Sequence, residues 1–215
     1  MPEVLSINVG TPREVSWAGI GRTSIDKHAL TGPVQVTRRG LEGDRVSDTV
    51  HHGGIDQAVY AFAREDLDWW EGELGAEIRN GQFGENLTTR GIDVNESEVG
   101  ERWRVGSATF EIAMVRTPCN DFKNWQRLNG YDDRAWVKRF AQVGRPGPYL
   151  RVIQEGEIQA GDDLVVVHQP GHGVTVSTMF RALLLDHSLL PELLKVDHLA
   201  RVARRRVEAF DASTH

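Results

Sequence analysis

The sequence predicts a mainly β protein, a β-barrel with peripheral helices, followed by a small all-α C-terminal domain. Short runs rich in β-branched and aromatic residues recur through the first two thirds of the chain, each closed by glycine, proline or aspartate. Only two regions between those runs show helical spacing, too few for alternating βαβ units, which favours a barrel. Past His168 the stretch "QPGHG" has the composition of a linker, and the residues after it have helical spacing. The predicted division is a β-barrel domain over residues 1–168 and a three-helix domain over residues 174–215.

The first strand is "VLSINVG", which alternates and stops at glycine. "VQVTRRG" and "AVYAFA" follow. The latter leads into "REDLDWWEGELG", where Leu67, Trp70 and Leu74 recur at helical steps and Gly75 supplies a left-handed terminator. "ENLTT", "RWRV", "ATFEIAMV", "YLRVIQ" and "DDLVVVH" complete the strands. Before "YLRVIQ", the segments "NDFKNWQRL" and "DDRAWVKRFAQVG" set Trp136, Val137, Phe140 and Val143 three and four residues apart, up to Gly144. In the tail, Ser177 is the expected cap of "STMFRALLLDHSLL", and Pro191 opens a short helix. Asp197 caps "HLARVARRRVEAF", whose Leu199, Val202, Val207 and Phe210 share a face.

With 40% hydrophobic and 26% charged residues, the 215-residue chain has enough apolar content to bury a core. Its formal charge of −6 argues against non-specific nucleic-acid binding, which needs a basic footprint. A DNA-binding helix-turn-helix is an alternative for the locally basic "RVARRRVEAF", but the amphipathic spacing there favours packing or a homodimer contact. One cysteine cannot form an internal disulfide, and "MPEVLSINVG" has no basic segment ahead of an apolar one. No apolar run approaches a membrane span either, so the expected location is the cytoplasm.

The densest polar stretch is "GLEGDRVSDTVHHGGIDQAVY". Gly40, Gly43, Gly53 and Gly54 let backbone amides approach a ligand, and Asp44, Arg45, His51 and His52 add charge and donors. It is neither a P-loop nor a dinucleotide fingerprint, because GKS/GKT and a helix-opening G-x-G-x-x-G are both missing. A ligand cradle and a long ordered loop are equally compatible with these residues. Adjacent His51 and His52 point to opposite faces of an extended segment, and "HQPGH" lies on a linker, so a zinc site lacks a third ligand at a usable spacing. In "FGENLTT", Glu85 is either an acid–base group or turn chemistry beside Asn86.

Cys119, the only cysteine, lies in "MVRTPCNDF". A lone cysteine is usually inert packing. Here Pro118 breaks the preceding strand, Asn120 and Asp121 are cap residues, and Arg116 is three positions earlier. A helix N-terminus and a nearby cation favour a thiolate, which is a nucleophile or a soft-metal ligand. The residues alone leave open a cysteine hydrolase using Cys119, His51 or His52 and Asp44, or a metal site with one thiolate ligand.

Taken in order, "SIDK", "GLEGDRVSDTVHHGGIDQAVY", "FGENLTTRGI", "VGERWRVGSATFEI", "RTPC", "GPYLRV" and a closing "GD-L" resemble the MOSC domain, named from the C-terminus of molybdenum cofactor sulfurase. Within that family the chain is similar to the stand-alone bacterial type with a three-helix C-terminal domain. The resemblance implies a MOSC-type β-barrel that binds the molybdenum cofactor, molybdopterin, with Cys119 as the protein thiolate on molybdenum. It implies reduction of N-hydroxylated compounds such as N-hydroxylaminopurines, fed by separate electron-donor proteins. Lys27, Arg45 and Arg116 then supply positive charge, Gly53 and Gly54 supply amides, and Asp44, His52, Glu85 and Asn86 hydrogen-bond the pterin or substrate. His52 matches the family's "HGG" position, and it or Glu85 relays protons to a site centred on Cys119. Pyridoxal phosphate, proposed for some MOSC proteins, is not expected, because none of Lys27, Lys123, Lys138 and Lys195 stands in an evident Schiff-base pocket. The reading from another functional class is a non-catalytic module that carries the cofactor or a sulfur group on Cys119.

Overall fold

The computed structural model describes residues 1–48 and 53–214. The chain opens with β1 (Glu3–Val9), the paired short strands β2 (Arg13–Glu14) and β3 (Arg22–Thr23), and β4 (His28–Ala29). The hairpin of β5 (Val34–Thr37) and β6 (Gly40–Leu41) comes next, then a 3-10 turn at Ile55–Gln57 and β7 (Val59–Ala63). Helix α1 (Arg64–Leu74) and strands β8 (Leu87–Arg90), β9 (Arg102–Val105) and β10 (Ala108–Val115) lead to α2 (Asn120–Leu128) and α3 (Trp136–Val143). Strands β11 (Pro148–Gln154), β12 (Gly156–Ile158) and β13 (Leu164–His168) end the sheet region, and α4 (Val176–Leu184), a 3-10 segment His187–Lys195 and α5 (Arg201–Thr214) form the tail.

The main sheet has eight strands in the order β13-β9-β10-β11-β7-β8-β1-β4, all antiparallel except the β7–β8 pair, and β12-β5-β6 form a second small sheet. The fold is mixed and sheet-rich with helices, and the expected closed barrel is not found among the described residues. Strand pairing explains the difference. One side of β1 is taken by β8 over Glu3–Ile7, and β4 pairs at Asn8 and Val9. Only the start of β1 remains for β13, and contact there is confined to the Glu3–Asp163 bridge and the backbone bonds Val4 N–H to Asp162, Gly161 N–H to Val4 and Leu164 N–H to Pro2, which do not extend into a strand pairing.

The predicted helix-forming pattern of α1 is realised. Leu67 and Trp70 are buried, and Gly75 ends the helix at φ 63° with its N–H donated to the Glu71 carbonyl. Trp70, Phe83, Phe122, Trp136 and Phe140 from α1, α2, α3 and one loop make an aromatic cluster, with ring centroids 4.8 Å apart for Trp70–Trp136 and 5.2 Å for Phe83–Phe122. Phe140 also touches Phe180 of α4, so the tail packs on the same apolar core. The cluster anchors the first turn of α2, directly after Cys119.

Three details of the tail differ from expectation. Thr175, not Ser177, caps α4, its hydroxyl accepting the Thr178 N–H at 3.1 Å. Pro191 lies inside the 3-10 segment His187–Lys195 and does not open a helix. Helix α5 begins at Arg201, beyond Asp197, and its buried face carries Ala203 and Val207 while Val202 is exposed. No helix among the described residues is long and apolar enough to cross a membrane.

Asp66 on α1 is buried against Arg145 and accepts the Asn95 amide at 2.7 Å. Burial pushes its carboxyl up from 3.8 to about 6, against the pull of Arg145 and Asn95. Such a carboxyl stabilises the folded state fully below its unfolded pKa and loses that contribution as pH rises through the folded one. Stability in denaturant titrations is expected to fall by up to about 3 kcal/mol between about pH 4 and pH 6 from this group. Asp66→Asn should flatten that part of the profile, and an unchanged slope in the variant would contradict the assignment.

Candidate functional site

Strand β10 ends at Val115, and Pro118 forbids its continuation. Cys119 follows in extended conformation (φ −134°, ψ 173°) and is itself the N-cap residue of α2, its carbonyl accepting the Lys123 N–H at 3.1 Å. The expected caps Asn120 and Asp121 are inside the helix. Asp121 instead accepts the Gly19 N–H at 3.0 Å, and Asn124 donates to the Trp17 carbonyl at 2.9 Å, so the β2–β3 loop is fastened over α2. The thiol is half-buried on the wall of a pocket with a cavity volume of about 140 Å³.

Arg116 stands on the same wall and is buried. Its Nη1 donates to the Phe83 carbonyl, and its guanidinium lies 3.7 Å from the Phe122 ring centroid and 5.2 Å from that of Tyr60. Burial works against its charge, yet Tyr60, Tyr149 and Cys119 together hold its pKa above the ordinary arginine value. It has no carboxylate partner among the described residues. Tyr149, which also lines the pocket, has its phenol pushed up by burial and by Cys119, with Arg116 opposing.

Opposite, Lys27 is buried with its Nζ on Asp44 Oδ1, and that oxygen also accepts the Gly10 N–H at 2.8 Å. Burial lowers the Lys27 pKa, with Asp44 and Glu85 opposing. Lys27 lines the pocket and is held there in the ion pair with Asp44. Ser24 and Ser47 share a hydrogen bond of 2.5 Å between the segments that carry Lys27 and Asp44. Arg45 is exposed at the mouth and Gly53, at φ 78°, lines it. Asn86 reaches the pocket while clamping β7 to β1: its Oδ1 accepts the Tyr60 N–H at 3.1 Å and its Nδ2 donates to the Asn8 carbonyl at 3.1 Å.

Two predicted site residues do not line this wall. Glu85 is fully buried and serves its own turn, accepting N–H groups of Gly81 and Phe83 and the Thr88 hydroxyl. Burial raises its pKa, with those hydrogen bonds opposing. Gly54, at φ 79°, starts the 3-10 turn and faces an outer groove. His51 and His52 lie outside the described residues. Arg22, Ser24, Ser47 and Tyr149 line the pocket and were not found from sequence. "SIDK" and "GPYLRV" carry two of them, but no spacing marks a pocket residue there. Arg151 steadies the Gly53–Gly54 turn from below, bonding Asp56 at 2.7 Å, Glu111 at 2.8 Å and the His198 carbonyl at 3.1 Å.

No histidine among the described residues lines the pocket, and no group of three or more His, Cys, Asp or Glu there could hold a metal. One thiol therefore suits a metal whose other ligands come from an organic group.

A model of the MOSC domain matches residues 48–165, over half of the chain. The chain belongs to the MOSC domain family. Among MOSC relatives, it is 31% identical over 174 residues to YflK of Bacillus subtilis, covering 80% of this chain and 76% of YflK. It is 30% identical over 149 residues to YiiM of Escherichia coli, covering 67% and 64%. A protein of Gibberella moniliformis named "Reductase" is 26% identical over 78% of this chain, which spans only 29% of that protein. The structure of YiiM from Geobacillus stearothermophilus has the same fold, with a TM-score of 0.80 at 24% identity over 97% of this chain and 98% of that one. Within the MOSC family the likeness is thus to the YiiM type.

Proposed function

We propose that the pocket binds the molybdenum cofactor, with Cys119 as the protein ligand on the metal, and that the chain reduces N-hydroxylated compounds. The observation that carries this reading is a half-buried thiol beside the buried guanidinium of Arg116, which has no carboxylate to balance it among the described residues. The residues present fit the group: a thiolate for the metal, Arg116 for the charge around it, and Lys27 and Arg45 for a phosphate, with the Asn86 amide and the Ser24 and Ser47 hydroxyls for a polar ring system. MOSC domains as a class are associated with this cofactor, and one relative is named a reductase.

When bound, the cofactor supplies two-electron oxygen-transfer chemistry. In the net reaction the N–O bond of an R–NH–OH substrate breaks, and two electrons and two protons convert it to R–NH₂ and water. The electrons come from a separate donor protein. Cys119 would hold the metal of the bound cofactor at this wall, and Arg116 would stabilise negative charge beside it. Tyr149 keeps its proton because burial and Cys119 hold its pKa up, so it donates a hydrogen bond to the oxygen that departs. His52, which lies outside the described residues, keeps the proton-relay role that the family resemblance implies. The β2–β3 loop over α2 and the aromatic cluster beneath keep water from this wall.

The test uses cofactor-loaded chain and a reduced viologen as artificial donor. An N-hydroxylated purine is expected to be converted to its amine, with two electrons consumed per product. Stoichiometric cofactor without turnover on any N-hydroxylated compound would instead favour the carrier module.

A further inference from the structure

The pocket opens outward into a wider groove of about 570 Å³. The two share Arg22, Arg45, Val46 and Gly53, and the groove adds Arg38, Arg39 and Ile55. All four arginines are exposed, and no aspartate or glutamate is among the described residues lining the groove. Several other arginines are balanced: Arg13 and Arg79 by Asp26, Arg145 by Asp66, and Arg151 by Asp56 and Glu111. None of the four groove guanidinium groups is paired with a carboxylate among the described residues, although the Arg38 backbone N–H donates to Glu155 Oε1 at 2.7 Å. Arg38 gives Nη1 to the Val152 carbonyl at 2.9 Å, which holds its head in place and leaves its other donors for a ligand.

Four like charges converging on one cavity, in a chain of net charge −6, are a focused positive field. Guanidinium groups match phosphate oxygens in paired hydrogen bonds. Within the function proposed above, the cofactor phosphate is met by Lys27 and Arg45 on the inner wall, whereas Arg38 and Arg39 line only the outer groove. Within the groove, Ile55 and Val46 are 68% and 39% exposed and offer an apolar surface to a flat heterocycle.

We propose that the outer groove holds a phosphate of the substrate, so that the compound reduced is an N-hydroxylated nucleotide rather than a free base or nucleoside. The N–OH end enters towards Cys119 and the phosphate rests on Arg38 and Arg39. This rests on reading the inner pocket as the reduction site.

The probes are adenosine 5′-monophosphate, the amine product such a reaction would give, and adenosine, which lacks the phosphate. Both are titrated calorimetrically into cofactor-loaded native chain and the Arg38→Ala/Arg39→Ala double variant, and molybdenum per chain is measured on each sample. The native chain is expected to bind the monophosphate about tenfold or more tighter than adenosine. The double variant is expected to lose about tenfold in monophosphate affinity while keeping its molybdenum. Equal binding of the two probes, or unchanged monophosphate binding in the variant, overturns the proposal. Loss of molybdenum from the variant also overturns it, by giving the arginines to the cofactor. Arginine-dependent monophosphate binding, with no conversion of the N-hydroxylated monophosphate by the cofactor-loaded chain and a reduced viologen, supports the phosphate groove and removes the reductase reading instead.

Discussion

Replacing Glu85 by alanine is expected to lower folding stability by about 3–5 kcal/mol, because three donors lose a buried acceptor at once. The carboxylate is the centre of the turn between Gly81 and Gly84, both at φ 80°, and it takes the N–H groups of Gly81 and Phe83 and the hydroxyl of Thr88. No solvent reaches these groups, so each donor left alone costs its full desolvation. The damage extends to the site. Phe83 is part of the aromatic cluster under α2, and its carbonyl accepts from Arg116. Urea titrations of the native chain, Glu85→Ala and Thr88→Val give the check, the last with an expected loss of about 1–3 kcal/mol because the Asn8 amide loses its acceptor as well. A loss below about 1 kcal/mol in Glu85→Ala would contradict the role of the carboxylate as the clamp of this turn.

Glu85 also shows where sequence reading reached its limit. A carboxylate after a glycine turn is a sound catalytic candidate by residue type, but its direction depends on the backbone conformation of Gly81 and Gly84, which spacing does not reveal. Cys119 was legible because the signals around it are local: a proline ends a strand, helix formers follow, and the thiol must lie between them. The same holds for α1, where Leu67, Trp70 and Gly75 carry period and terminator together. Sheet closure was not legible, because it depends on how far β4 and β13 each reach along β1, which is a matter of register. Tyr149 and Arg22 were missed for a related reason: strands far apart in the chain bring them to Cys119, and neither has a local pattern. Thr175 displaced Ser177 as cap because a bridge between Glu98 and Thr175 fixes where α4 starts.

Chain made in a host that synthesises the molybdenum cofactor is expected to carry about one molybdenum, and Cys119→Ala is expected to lose it. The thiol is half-buried at the start of α2 and packs only partly against the core, so alanine removes the sulfur while leaving a small hole. Folding stability should change by no more than about 1–2 kcal/mol, which separates loss of the ligand from loss of the fold. Disturbing groups around a metal's ligands typically costs about 10–100-fold in affinity, and removing the proposed protein ligand should cost at least as much. Cys119→Ser, which keeps a polar atom but a harder one, is expected to retain little more than alanine does. The decisive measurement is molybdenum per folded chain in the native protein and in Cys119→Ala. Near-stoichiometric metal in the first and about a hundredth of it or less in the second is the predicted result. Equal metal in both would show that the sulfur of Cys119 is not its ligand.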